Sequence, residues 1–279
     1  MAKTGPQRYP GASLAYWYGD RYEGTAMEIN TVVWHTTEGT TLPTYGGGAA
    51  APTITAVPDF AAKKLRWYQH FDIEQSARAL VDRAGGITTN RNNLAQVELV
   101  GTCDPATHRK WTAAGRAHIF WPEAPEWALR EVAAFVCWLH QNHGVPMTST
   151  VTWRAYPGSY GQSAPQRLSA AAFNEYTGHL GHQHVPEGND HGDPGNFDMA
   201  RVLRYAAGTP EEDPAMALSD KDVDRIVLAL LGYRNKTADE KSKAAGKRIP
   251  DFYGYVTQTH AAVAALTAKV DRLAAKKES

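Results

Sequence analysis

The chain has 279 residues, enough for one large domain with a smaller one, or for two domains. Hydrophobic residues make up 43% of the chain and charged residues 21%, a composition typical of soluble globular proteins. Because 29 basic residues balance 29 acidic ones, no overall electrostatic field points to nucleic acid or an acidic membrane as a partner.

The N-terminal segment and the cysteines bear on where the chain folds. Residues 1–20 contain no apolar core of the kind found in a Sec-type signal peptide, and no run of about eighteen apolar residues predicts a membrane span. Cys103 and Cys137 are too few for a disulfide framework, with a single bond between them as the alternative. We therefore expect folding in the cytosol, so that action outside the cytoplasm needs another export route.

Two apolar segments predict buried strands, and two others predict helices. Ile29–Thr37 and Leu94–Thr102 are rich in β-branched and apolar residues. Glu126–Gly144 has apolar residues at helical spacing and ends on a glycine suited to a C-cap, and Ser163–Gly178 predicts a shorter helix. Strands mixed with helices predict an α/β domain over residues 1–208.

The composition changes after this domain. Residues 209–217 form a Pro/Glu/Asp-rich linker, and residues 218–279 predict a small helical module that Ser219 begins as a cap. Seven residues in this module follow a spacing of four and three: Phe252, Val256, Thr259, Val263, Leu266, Val270 and Leu273. The module is either an amphipathic helix packed on the main domain or a short coiled coil that joins copies of the chain. The polar linker before it favours the coiled coil and hence a homo-oligomer.

Potential metal ligands occur in distant parts of the chain. His35 ends the apolar run TVVWH, and the loop GHQHVPEGNDHGDPG adds four more candidates: His182, His184, His191 and Asp193. If the strand before this loop continues through it, His182 and His184 project from the same side. Glu98 stands in an otherwise apolar strand, where an acid costs several kcal/mol unless it is paired, protonated or used in chemistry.

This inventory suits a zinc hydrolase. Catalytic zinc sites take three protein ligands and leave a fourth position to water. Two histidines and one aspartate leave the centre with a net positive charge, which lowers the pKa of the water to about 7 and polarises a carbonyl. A nearby carboxylate such as Glu98 completes the set by taking the proton of the water.

Three motifs in this order resemble signatures of the zinc-dependent N-acetylmuramoyl-L-alanine amidases of the type 2 family, whose fold peptidoglycan recognition proteins and many bacteriophage endolysins share. The motifs are VVWHTTEG, TNRNNLAQVELVG and GHQHVPEGNDHGDPGNFD, and the similarity spans about residues 28–205. The resemblance implies an amidase-like catalytic domain over 1–208: a mixed central β-sheet flanked by helices, with a Zn²⁺ site at one edge of the sheet.

The resemblance also implies roles for individual residues. The first zinc ligand falls on His35 and the acidic last ligand on Asp193, and the second histidine is His182, with His184 as its rival. Glu98 matches the catalytic glutamate of the family. His191 stands where the family usually has a lysine that stabilises the oxyanion, which is a departure from the pattern.

The implied function is hydrolysis of the amide that joins N-acetylmuramic acid to L-alanine in peptidoglycan. A phage endolysin of this kind is made in the cytoplasm of the bacterial host and reaches the wall through a holin pore. Trp34, Tyr45 and Trp67 are candidates for substrate contacts, with core packing as their alternative. The competing functions are a non-catalytic peptidoglycan-binding module and a zinc endopeptidase of the stem peptide.

Overall fold

The computed structural model describes residues 5–82, 87–186 and 190–208. The predicted linker 209–217 and helical module 218–279 lie outside the described residues, so the domain boundaries and the coiled coil stay predictions. Within the described ranges, no helix combines the length and the apolar character that a membrane crossing requires.

A five-stranded mixed sheet forms the centre of the domain, which confirms the expected α/β class. The strands are β1 (Thr31–Thr36), β2 (Ile54–Asp59), β3 (Lys64–Gln69), β4 (Leu94–Leu99) and β5 (Gly178–Gly181). Their order is β3-β2-β4-β1-β5, and only β3 runs antiparallel to its neighbour. The helices are α1 (Pro105–Ala113), α2 (Glu126–His143), α3 (Ala170–Glu175) and α4 (Met199–Ala206).

The main core lies between the sheet and helices α2 and α4. Val32 and Trp34 of β1 belong to this core, together with Val132 and Phe135 of α2. Alternate strand residues point to opposite faces, so His35 projects from the other side of β1. The sheet therefore separates the apolar core from the face that carries the candidate ligands.

Helix α2 confirms its prediction closely. It begins at Glu126, all its apolar positions at the expected spacing are buried, and Gly144 follows it in a left-handed conformation with φ of 67°. A glycine adopts this conformation without the steric cost that a Cβ imposes.

The helix predicted over Ser163–Gly178 is much shorter. Helix α3 begins only at Ala170, because the hydroxyl of Ser169 accepts a hydrogen bond from the backbone N–H of Ala172 and caps it. Cys103 and Cys137 are free thiols, so the alternative of a bond between them is wrong.

Candidate metal centre

Three buried side chains from separate segments meet on the face opposite α2. His35 lies near the end of β1, His182 begins a 3-10 turn directly after β5, and Asp193 lies in the loop before α4. Because β1 and β5 are parallel neighbours, their carboxyl ends bring the two histidines together. The loop that carries Asp193 then closes the group.

The distances within this group are compatible with a shared metal ion. The two Nδ1 atoms of His35 and His182 are 3.0 Å apart. Oxygens of Asp193 lie 3.6 Å from Nδ1 of His35 and 3.4 Å from Nδ1 of His182. Tetrahedral zinc with bonds of about 2.0–2.2 Å places neighbouring ligand atoms roughly 3.3–3.5 Å apart. The group can therefore hold a metal ion with little rearrangement, and three ligands leave a fourth position open.

Backbone contacts fix the carboxylate of this group. The N–H of Thr36 donates to Oδ2 of Asp193 at 3.2 Å, and the N–H of Gln183 donates to the Asp193 carbonyl at 2.9 Å. The buried amide of Gln183 also donates to the carbonyl of Gly195 at 2.6 Å and accepts from the N–H of Arg154 at 3.0 Å. Gln183 thus ties the loop of Asp193 to the end of β5.

Asp193 is ionised in this environment. Burial by itself raises the pKa of the carboxyl group, but His182, His191 and His35 around it hold the pKa well below its ordinary value. A zinc site requires its carboxylate ligand in this ionised form.

His184 does not join this group. The strand ends at Gly181 and the chain turns into a 3-10 helix over His182–His184, so the expectation that both histidines project from one side is wrong. Nδ1 of His184 accepts a hydrogen bond from the N–H of Gly181 at 2.9 Å, and Nε2 lies 3.1 Å from the carbonyl of Thr152. Both ring nitrogens are bonded to backbone, and burial lowers the pKa of His184 to about 4.

Glu98 lies beside the three candidate ligands. It is in register with His35 across β4 and β1, so both side chains project from the same face of the sheet. Burial raises the pKa of Glu98 to about 8, and the negative charge of Asp193 adds to this effect, whereas His182 opposes it. Its Oε2 atom is buried and has no hydrogen-bond partner among the residues that the structure describes. A buried carboxyl oxygen of this kind is available to a bound water or substrate.

His191 lies at the outer side of the group. Its side chain is 58% exposed, its ring stacks on His182 with centroids 4.3 Å apart, and its Nδ1 atom is 3.4 Å from Oδ1 of Asp193. The carbonyl of His191 accepts a hydrogen bond from Arg167 at 2.6 Å, which anchors the loop. The histidine therefore covers part of the group on its outer side.

A cavity of about 490 Å³ opens next to Asp193 and His191. Its other lining residues are Glu38, Cys103, Asp104, Tyr156, Tyr160, Asp190 and Gly192. This cavity gives a substrate access to the side of the group that faces solvent, which is where ligands bind in sheets of parallel strands.

The aromatic candidates divide between this face and the core. Trp34 and Trp67 are buried in the main core. Tyr45 lies near Glu98: burial, and then the negative charge of Glu98, raise the pKa of its phenol. Tyr156 and Tyr160 line the cavity but were not among the candidates. The one signal for them was their position in the loop segment RAYPGSYGQ, where glycine and proline exclude a helix and favour exposure.

Comparison with known proteins adds little. A solved structure of a PlyL mutant is similar at 14% sequence identity and a TM-score of 0.31, covering 49% of this chain and 75% of that chain. No family model matches the chain, and no match was found among curated proteins. Similarity at this level says nothing about the function of the chain.

Proposed function

We propose that the chain is a zinc-dependent amidase that hydrolyses the amide between N-acetylmuramic acid and L-alanine in peptidoglycan. The observation that carries the proposal is the meeting of His35, His182 and Asp193 at distances suited to zinc, with Glu98 on the same face and an open cavity beside them. The resemblance of the three sequence motifs to type 2 amidases supplies the choice of substrate.

His35, His182 and Asp193 would hold the metal in this proposal. Two neutral imidazoles and one carboxylate leave the site with a net charge of +1 when Zn²⁺ is bound. Bound zinc lowers the pKa of a water and polarises a carbonyl oxygen. We choose His182 rather than His184 because its Nδ1 atom points at His35 and Asp193, whereas the nitrogens of His184 bind backbone groups.

Glu98 would move the proton in the reaction. As the attacking water adds to the lactyl carbonyl carbon, the carboxylate of Glu98 takes a proton from that water. The carboxyl group then gives this proton to the nitrogen of L-alanine as the carbon–nitrogen bond breaks, which leaves a free lactyl carboxylate and a free alanine amine. His191, which lies against His182 and Asp193, would donate a hydrogen bond to the oxyanion that forms in between.

The cellular setting follows from the same resemblance. We propose that the protein is a phage endolysin that is made in the host cytoplasm and acts on the cell wall after release through a holin pore. Its partner in this proposal is peptidoglycan and not nucleic acid. A homo-oligomer through the C-terminal helix belongs to this proposal.

Digestion of purified diaminopimelate-type peptidoglycan tests the proposal. The zinc-loaded protein should create new N-terminal L-alanine, which mass spectrometry detects, and Glu98→Gln should keep zinc but release no stem peptide. Glu126→Gln, an exposed carboxyl on α2, is the matched control and should keep full activity. New ends within the stem peptide would indicate an endopeptidase instead, and binding without new ends would indicate a binding module.

A further inference from the structure

A chain of three hydrogen bonds runs next to the candidate centre and takes no part in holding it. The phenolic oxygen of Tyr45 is 2.7 Å from Oγ1 of Thr55, and this oxygen is 2.9 Å from Nε2 of His70. Nδ1 of His70 is in turn 2.8 Å from the backbone carbonyl of Tyr16. Thr55 and His70 are fully buried.

The carbonyl at the far end sets the direction of every bond in this chain. A carbonyl oxygen only accepts, so Nδ1 of His70 carries a proton and donates it to Tyr16. Burial lowers the pKa of His70 to about 4, so the ring is neutral at neutral pH and its Nε2 atom is an acceptor. The hydroxyl of Thr55 must then donate to His70, and it can only accept from Tyr45.

The proton of Tyr45 is therefore committed to Thr55. The phenol keeps this proton at neutral pH, because burial raises its pKa. Its oxygen retains a lone pair and no proton to offer elsewhere, which makes it an acceptor only.

This acceptor lies on the face of the sheet that carries the candidate centre. Thr55 is in register with Glu98, and Glu98 is in register with His35, so the three side chains form one row across β2, β4 and β1. The phenol of Tyr45 also lies near Glu98, because the negative charge of Glu98 adds to burial in raising its pKa. Tyr45 also has a φ of 53°, a left-handed conformation that is rare for an aromatic residue and is found at functional sites.

We propose that Tyr45 is a substrate-binding residue whose phenolic oxygen accepts a hydrogen bond from an N–H or O–H group of the muramyl peptide. The hydrogen bonds through Thr55 and His70 to the carbonyl of Tyr16 make this oxygen an acceptor. This inference rests on the proposed function for the identity of the ligand. The direction of the hydrogen bonds does not depend on it.

Nuclear magnetic resonance of the histidine rings tests the direction without any substrate. Long-range ¹H–¹⁵N spectra of the full chain at pH 7 should show His70 neutral, with the proton on Nδ1 and none on Nε2. A proton on Nε2, or a doubly protonated ring, would reverse or break the chain of donors and overturn the proposal.

Binding of muramyl dipeptide tests the role of Tyr45. Calorimetry on the chelator-treated protein, which does not consume the ligand, should show that Tyr45→Phe weakens binding by roughly tenfold, the usual effect of losing one hydrogen bond. Tyr18→Phe is the matched control, because Tyr18 also stacks on His70 but donates its hydroxyl proton to the carbonyl of Thr44. Equal affinity of the wild type and Tyr45→Phe, or no binding by either, would overturn the role.

A conservative pair at Thr55 adds a second variant in case Tyr45→Phe disturbs the loop. Thr55→Ser keeps the hydroxyl and should bind muramyl dipeptide as the wild type does. Thr55→Val removes the group that accepts the hydrogen bond of the Tyr45 hydroxyl, so it should bind muramyl dipeptide more weakly. Equal affinity of these two variants for muramyl dipeptide would contradict the fixed direction of the hydrogen bonds. Failure of the proposed function is seen separately, as the absence of new L-alanine ends in the peptidoglycan digest.

Discussion

Replacement of Glu98 by glutamine should stabilise the metal-free protein at alkaline pH. The pKa of this carboxyl group is about 8 in the folded chain and 4.5 in its unperturbed state. Between these two pH values the group is therefore protonated in the folded chain and ionised in the unfolded chain. Below pH 4.5 both states bind the proton, and the group has no effect on stability. As the pH rises from 4.5 to 8 the unfolded chain ionises first, so the carboxyl increasingly favours unfolding.

The size of this effect follows from the same two pKa values. The change from 4.5 to about 8 corresponds to at most ~5 kcal/mol above pH 8. Because the side chain is only partly buried, solvent screening reduces this figure, and we expect about 2 kcal/mol. Glutamine cannot ionise and removes the effect, while the cost of its own buried amide is the same at every pH.

Urea unfolding of the wild type and Glu98→Gln at pH 5 and pH 8.5, with chelator present, measures this difference. All eight tryptophans lie between residues 17 and 153, so their fluorescence reports on the main domain. The free energy of unfolding of Glu98→Gln relative to the wild type should rise by about 2 kcal/mol from pH 5 to pH 8.5. Glu126→Gln should show no such rise. Saturating zinc should reduce this difference between the variant and the wild type, because a nearby cation favours the ionised carboxylate. A gap that does not depend on pH would refute the raised pKa of Glu98.

Three further predictions concern the ligands and their surroundings. His182→Ala should lose zinc in metal analysis after gel filtration, whereas His184→Ala should keep it. The free energy of unfolding of His184→Ala should fall by about 2–4 kcal/mol, because a buried ring and its backbone hydrogen bonds are lost. The reverse pattern would assign the ligand to His184. His191→Ala should keep zinc and lower kcat on peptidoglycan by roughly 10²- to 10³-fold, as for a lost oxyanion donor, and an unchanged kcat would exclude that role. Zinc at a hundred times its Kd should stabilise the fold by about 2.7 kcal/mol, seen as a higher Tm that chelator reverses, and an unchanged Tm would argue against binding at this buried group.

Periodicity predicted the elements that form the centre of the fold. The apolar runs of β1 and β4 and the helical spacing of α2 are strong signals, because each of these elements buries a continuous surface. Strands β2 and β3 and helices α1 and α4 were not predicted. A proline within a segment, such as Pro58 in β2, is unfavourable for a strand, and the position of β2 beside β4 depends on contacts that local sequence does not show.

The candidate site shows the same division. Glu98 could be singled out from the sequence because an acid in an otherwise apolar strand needs a reason. His35 and Asp193 were candidates by residue type, and the resemblance to type 2 amidases singled them out as ligands. The choice between His182 and His184 could not be settled, because it depends on the chain leaving the strand at Gly181 and turning. Tyr45 could be named as a candidate substrate contact, but the hydrogen bonds that link it through Thr55 to His70 come only from the tertiary structure.

Anomalous diffraction at the zinc edge from crystals grown with zinc tests the central claim most directly. We expect one strong peak about 2.0–2.2 Å from Nδ1 of His35, Nδ1 of His182 and a carboxylate oxygen of Asp193, with a fourth position facing the cavity. A peak elsewhere, or these three atoms without a shared peak, would contradict the assignment of the metal centre and with it the hydrolytic function.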